Sequence, residues 1–174
     1  MLSLDFDGLV RQIASQPMKI SFADGSTHFP DFFATLRSGH QVLYDVKPSG
    51  RMTDATVEQF AKTADVCRTV GWKHQVLHEL HPTKLRNLEW LRAARHTRYH
   101  PTQPELDRLV AVFADGCTFR DGALKADLKR PYIAAAHIRH LLWHRHLRTD
   151  FDQVITESSL LESVHKGEPC NCGA

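Results

Sequence analysis

Two carboxylates and a lysine stand at a spacing that could hold a cation and act on a phosphate. Asp31 follows Pro30, and after thirteen further residues comes Asp45-Val46-Lys47. Ser38-Gly39 lies midway, so a hairpin centred on Ser38 pairs residues whose numbers sum to 76 and sets Asp31 opposite Asp45. Directly opposed side chains of an antiparallel pair stand ~4.5–5.5 Å apart at Cβ, where like charges repel. Such a pair demands a cation or a raised pKa. Lys47, two residues beyond Asp45, falls on the same strand face. A hard divalent ion takes a few carboxylates with waters and a phosphate oxygen. It then neutralises the phosphodiester and activates water, while a lysine orients that water or steadies developing charge. The same residues also suit a plain solvated strand pair in which Asp31 closes a Pro-Asp turn. Spacing alone does not separate the two readings.

The elements around them are those of a small α/β core. Residues 18–23 (MKISFA) alternate enough for a strand, and Asp24-Gly25 is a hairpin signal. Residues 27–37 read as a second strand, with Pro30 marking an edge, a bulge or an end. Residues 41–47 return as a third, stopped by Pro48-Ser49-Gly50. Asp54 is a candidate N-cap for a helix with Val57, Phe60, Ala61, Ala64 and Cys67 at helical spacing, closed near Gly71. Residues 74–80 add a further strand, so the core unites three antiparallel strands, a helix and one more strand.

His81-Pro82 breaks this pattern. Thr83 can cap a helix with Leu85, Leu88 and Leu91, and residues 101–104 form a short linker. A helix with Leu106, Leu109, Val110 and Phe113 follows, ended by Gly116. Pro131 suits the first turn of a helix running to about His144, residues 147–155 read as a short hairpin, and residues 163–174 read as a mobile tail. The expected division is 1–81 core, 82–100 basic connecting helix and linker, 101–160 mostly helical, and 161–174 tail.

Composition narrows the class. The chain has 174 residues, 42% hydrophobic and 24% charged, which excludes wholesale disorder. A formal charge of +2 implies no nucleic-acid partner by itself, so a basic surface must be local. No apolar run approaches the roughly 18 residues of a membrane span. Residues 1–12 lack the basic segment of a signal peptide, and four scattered cysteines make no disulfide framework. The expected compartment is reducing, the cytoplasm.

These residues resemble the PD-(D/E)xK superfamily with its restriction-endonuclease-like core, and within it the TnsA-type endonuclease subunits of heteromeric transposases. The matching pieces are LDFD at 4–7, SQP at 15–17, HFPDF at 28–32, DVKP at 45–48, RNLEWL at 86–91 and HLLWHRHLRTDFD at 140–152. The resemblance implies a DNA endonuclease cutting at a transposon end with Mg²⁺, or Mn²⁺ in its place. Asp31 and Asp45 would be metal ligands, joined by the Val46 carbonyl, and Lys47 the catalytic lysine. Asp45 stands where relatives more often carry Glu or Gln, and Gln16 and His28 would flank the site. The implied partners are DNA, a DDE-type transposase subunit and an ATPase regulator. The family also places a glutamate on a helix before the LDFD segment. No Glu precedes Glu58 here. That helix is therefore expected to be missing, with Asp5 and Asp7 on a strand or turn. A truncated, catalytically impaired accessory subunit and a free-standing repair or restriction nuclease are the alternatives.

Residues 81–100 hold five Lys/Arg against one acid, and residues 129–148 hold five against none. Candidate DNA contacts are Lys84, Arg86, Arg92, Arg95, Lys129, Arg130, Arg139, Arg145 and Arg148. A basic helix ending in a hairpin resembles a winged-helix element, and a solvated helix face is the plainer alternative. His137, His140 and His144 share a helical face and raise the question of zinc, with Cys170 and Cys172 as remote thiols. Trp72, Trp90 and Trp143 read as core.

Overall fold

Buried apolar strands decide the architecture. The computed structural model describes residues 2–164, which divide into two compact units, Ser3–Leu80 and the chain from His81 onward. Both α-helices and strands are present, with six α-helices among the described residues.

The first unit opens with α1 (Leu2–Asp7), so the LDFD segment is helical rather than a strand or turn. A four-stranded sheet follows in the order β1-β4-β5-β6, from β1 (Val10–Ser15), β4 (Phe32–Leu36), β5 (Gln41–Val46) and β6 (Lys73–Leu77). The first three are antiparallel, and β6 runs parallel to β5 after the crossover helix α2 (Asp54–Thr69). The β4/β5 register pairs Phe32 with Tyr44 and Ala34 with Val42, the sum-of-76 pairing expected around Ser38. Gly39 makes that turn at φ +86°, a left-handed conformation that a side chain would strain.

Val42, Leu43, Tyr44 and Asp45 are all buried, so β5 is covered on both faces. Val42 and Tyr44 cluster with Leu4 of α1 and Ala34, while Leu43 clusters with Ile20 and Cys67 of α2. The alternation of a strand puts Asp45 on the Leu43 side.

The third antiparallel strand differs from the expectation. It is β1, residues 10–15, and not residues 18–23. β1 is exposed at five of six positions and carries no alternating apolar signal. Of residues 18–23 only β2 (Ile20–Ser21) is strand, pairing with β3 (Thr27–His28) in a separate two-stranded hairpin. Asp24 tightens that turn by accepting the Ser26 N–H at 2.9 Å. The expected single strand 27–37 is split into β3 and β4 at Phe29-Pro30-Asp31, because proline has no N–H for the ladder. α2 is capped one residue earlier than expected, by the Thr53 hydroxyl accepting from Thr56 N–H.

The second unit holds α3 (Pro82–Arg92), α4 (Gln103–Val112), β7 (Cys117–Thr118), α5 (Phe119–Ala126), α6 (Pro131–Trp143), β8 (Leu147–Arg148) and β9 (Leu160–Ser163). Its small sheet is ordered β7-β9-β8. α3 is no free connector, because Leu88 and Leu91 are fully buried and the helix packs on α6. Its cap is His81, whose Nδ1 accepts from Thr83 N–H, and Pro82 fills the first turn. α5 carried no expectation. Residues 147–155 are not a hairpin, since β8 pairs with the distant β9. β9 also takes residues 161–163 out of the expected tail, with Leu161 wholly buried. Residues 165–174, including Cys170 and Cys172, lie outside the described residues.

Buried Asn87 of α3 ties down the β8–β9 connection. Its amide donates to the Phe151 and Gln153 carbonyls, and its oxygen accepts the Ile155 N–H. Gly122 of α5 sits directly against the buried Phe113 ring, which an added Cβ would overlap. Gly122→Ala should therefore destabilise the protein by ~1–3 kcal/mol, as overpacking does, measured by urea denaturation.

Candidate active site

Asp45 is the least expected residue of β5, a carboxylate at an apolar position, 2% exposed. Taking such an ion out of water costs several kcal/mol unless donors replace the water. Two imidazoles supply them. His28 Nε2 lies 2.9 Å from both Asp45 oxygens, and His74 Nε2 lies 2.8 Å from Oδ2. Hydrogen bonds to a charged group are worth roughly 1.5–3 kcal/mol each, enough together to offset the desolvation. Burial alone would raise the Asp45 carboxyl. The hydrogen bonds from His74 and His28, with the charge they bring, outweigh that and hold it below the usual carboxylate range. The buried thiol of Cys67 is pushed up, first by burial and then by the nearby Asp45 charge.

Three elements bring these groups together: β5 supplies Asp45, β6 supplies His74, and the separate hairpin supplies His28. Phe60 of α2 packs against both rings, at 6.0 Å from His28 and 5.6 Å from His74 between centroids.

Asp31 sits half-buried immediately before β4, and its Oδ2 accepts the Val46 N–H at 2.7 Å. Its carbonyl accepts the Gln16 N–H at 2.8 Å. Gln16 takes φ 45°, a left-handed conformation uncommon outside glycine, where β1 ends beside Asp31. Lys47 is half-buried; its N–H donates to the Leu77 carbonyl and its own carbonyl accepts from His78 Nδ1. Asp31, Val46 and Lys47 are thus drawn to one end of the β4–β5–β6 ladder, with Asp45 one residue inward. α1 packs through Leu4 on the opposite face, beside Tyr44, whose hydroxyl is pushed up by burial and then by the charge of Asp7.

Of the expected site residues, His28 is bound to Asp45, while Gln16 meets Asp31 through its backbone N–H. His74 had no expected role. Its place becomes visible only when the parallel β5/β6 register sets it beside Leu43.

The donor set bears on a divalent ion. A carboxylate offers about four lone-pair directions, and three contacts from the histidines leave Asp45 about one. Asp31 retains an oxygen not engaged by Val46 N–H. Two carboxylates and a backbone carbonyl, completed by water, suit a hard cation such as Mg²⁺. No group of three or more His, Cys, Asp or Glu side chains among the described residues is arranged to hold a metal. For His140 and His144, ring nitrogens meet the Ala94 and Arg95 carbonyls instead, with the rings tilted against each other at 4.2 Å between centroids.

The basic candidates all lie in the second unit. Lys84, Arg86 and Arg92 are on α3, and Arg95 follows it. Lys129 and Arg130 are exposed just before α6, Arg130 paired with Asp127. Arg139 lies 5.3 Å from the Trp90 ring. Arg145 closes α6 at φ 59°, and Arg148 pairs with Glu162. Trp90 is 39% exposed, a rim rather than a core residue, whereas Trp143 is buried and Trp72 packs on Phe33.

A four-stranded mixed sheet with a helix crossing between its parallel strands, and carboxylates and a lysine at one strand end, is compatible with an α/β nuclease fold. Residues 7–79, all within the first unit, match the family model described as TnsA-like endonuclease N terminal, so this unit is similar to the TnsA-like endonucleases. No curated protein matches the chain. No helix among the described residues is long and apolar enough to cross a membrane.

Because the Asp45 pKa is lowered on folding, the unfolded chain binds the extra proton and stability rises with pH. The contribution is complete above the unfolded value of about 4 and is lost as pH falls through the folded one. Asp45→Asn should be less stable than the parent by ~1–3 kcal/mol at pH 7. That gap should narrow below about pH 4, read from urea denaturation across pH.

Proposed function

We propose that the chain is a metal-dependent DNA endonuclease subunit that cuts a phosphodiester at a transposon end within a heteromeric transposase. The observation that carries this reading is the family match, whose span includes Asp31, Asp45 and Lys47. Asp31 and Asp45, with the Val46 carbonyl, would hold Mg²⁺ or Mn²⁺. When bound, such an ion neutralises a phosphate and lowers the pKa of its water. Asp31, fixed through Val46 N–H and Gln16 N–H, presents a carboxylate that the strand end keeps in place. The Lys47 ammonium orients the attacking water and steadies charge developing on the phosphate. The partners are DNA, a DDE-type recombinase subunit and an ATPase regulator.

The second unit is read as a winged-helix-like body. Its support is the element order α4-β7-α5-α6-β8-β9 with sheet order β7-β9-β8, in which α6 would face DNA and residues 149–159 would form the wing. Its basic residues would neutralise phosphates.

Asp31→Ala should abolish cleavage in the assembled transposase, scored by nicking of a labelled transposon-end duplex. Lys47→Ala should slow it roughly 10²–10³-fold. Retained cleavage by Asp31→Ala would sink the assignment, and an inert parent chain in an otherwise active assembly would favour the accessory subunit. Lys129→Ala should weaken duplex binding evenly across sequences and reduce the slope of log K against log salt by about 0.9, measured by fluorescence anisotropy.

A further inference from the structure

We propose that His28 and His74 are positioning residues of this nuclease site, fixing Asp45 in the one orientation from which it can serve a divalent cation; the inference rests on the metal-dependent reading above. Three observations carry it. Both Nε2 atoms are spent on Asp45, at 2.8–2.9 Å, so the rings are donors to that carboxylate. A cation ligated by the same nitrogens would need to sit about 2.0–2.1 Å from each, in the place the Asp45 oxygens fill. The rings themselves cannot swing, since both side chains are nearly wholly buried and Phe60 packs on each. Finally, the two donors come from elements far apart in the chain, β3 and β6, and meet only at this carboxylate.

The consequence is geometric. A lone Asp side chain turns about two bonds, and an ion binding it must freeze those rotations. With His28 bridging both oxygens and His74 on Oδ2, the carboxylate plane is already set and about one lone-pair direction stays open. Partners that orient a metal's ligands in this way typically contribute 10–100-fold in affinity. Gln can place an amide N–H near the position of imidazole Nε2, whereas Leu fills the space without a donor.

The test is calorimetric titration of Mn²⁺ alone into the full chain and into His28→Leu, His74→Leu, His28→Gln, His74→Gln and Asp31→Ala, with near-ultraviolet dichroism confirming the fold of each. The expected result is about 10–100-fold weaker Mn²⁺ binding in each leucine variant, largely restored in the glutamine variants, and none in Asp31→Ala. Leucine variants that fold and bind Mn²⁺ like the parent, while Asp31→Ala does not, overturn the positioning role and leave the metal reading standing. A parent chain without Mn²⁺ binding, or an Asp31→Ala variant that binds equally well, overturns both. Should a leucine variant fail to fold, His→Asn at the same position, which withdraws the donor by one bond, is read in its place with the same criteria.

Discussion

The first unit depends on one buried anion being satisfied. β5 is covered on both faces, and every residue from Val42 to Asp45 is out of water. At three of these positions burial is favourable. At Asp45 it costs several kcal/mol, and the two imidazole N–H groups offset it. Either donor withdrawn would leave charge under-compensated, so the hairpin bearing His28 and the strand bearing His74 are bound to the sheet centre by the same carboxylate. The result is a polar junction within an otherwise apolar layer, where geometry is more tightly specified than packing alone would require.

That junction explains features that look like irregularities. Pro30 interrupts what would otherwise be one long strand, and the break lets β3 leave the sheet, so that His28 meets Asp45 from outside the four-stranded ladder. The same break frees Asp31 from strand pairing, and its carboxylate turns to the Val46 N–H at the end of β5. Gln16 pays in backbone conformation for holding the Asp31 carbonyl from β1. The strand end is thus built from hydrogen bonds that fix two carboxylates separately rather than pressing them together unshielded.

The second unit follows ordinary rules. Its helices α4 and α5 begin at capping residues the backbone needs, the Thr102/Glu105 box at α4 and Thr118 at α5. Its long β8–β9 connection is held by Asn87, a buried amide whose donors and acceptor are all used on loop backbone. A loop held this way keeps a defined shape while presenting exposed residues to solvent.

The sequence by itself determined the local and the periodic. The Ser38-Gly39 turn, the sum-of-76 register, α2, β6 and the first turn of α6 at Pro131 were legible because turn chemistry and apolar spacing act over a few residues. That Asp31 and Asp45-Val46-Lys47 flank the two arms of one hairpin was legible for the same reason. What only the tertiary structure decided lies between distant segments. β1 has an exposed, non-alternating sequence, and its strand state comes from hydrogen bonding to β4. α1 was read as strand or turn, yet Leu4 finds its core across the sheet. Residues 161–163 of β9, expected as tail, are fixed by pairing with β7 and β8. His74 stands 29 residues from Asp45, and no local pattern distinguishes it from any other strand histidine. A buried charge selects its partners through space, so the residues that complete the site are named by the fold and not by the spacing.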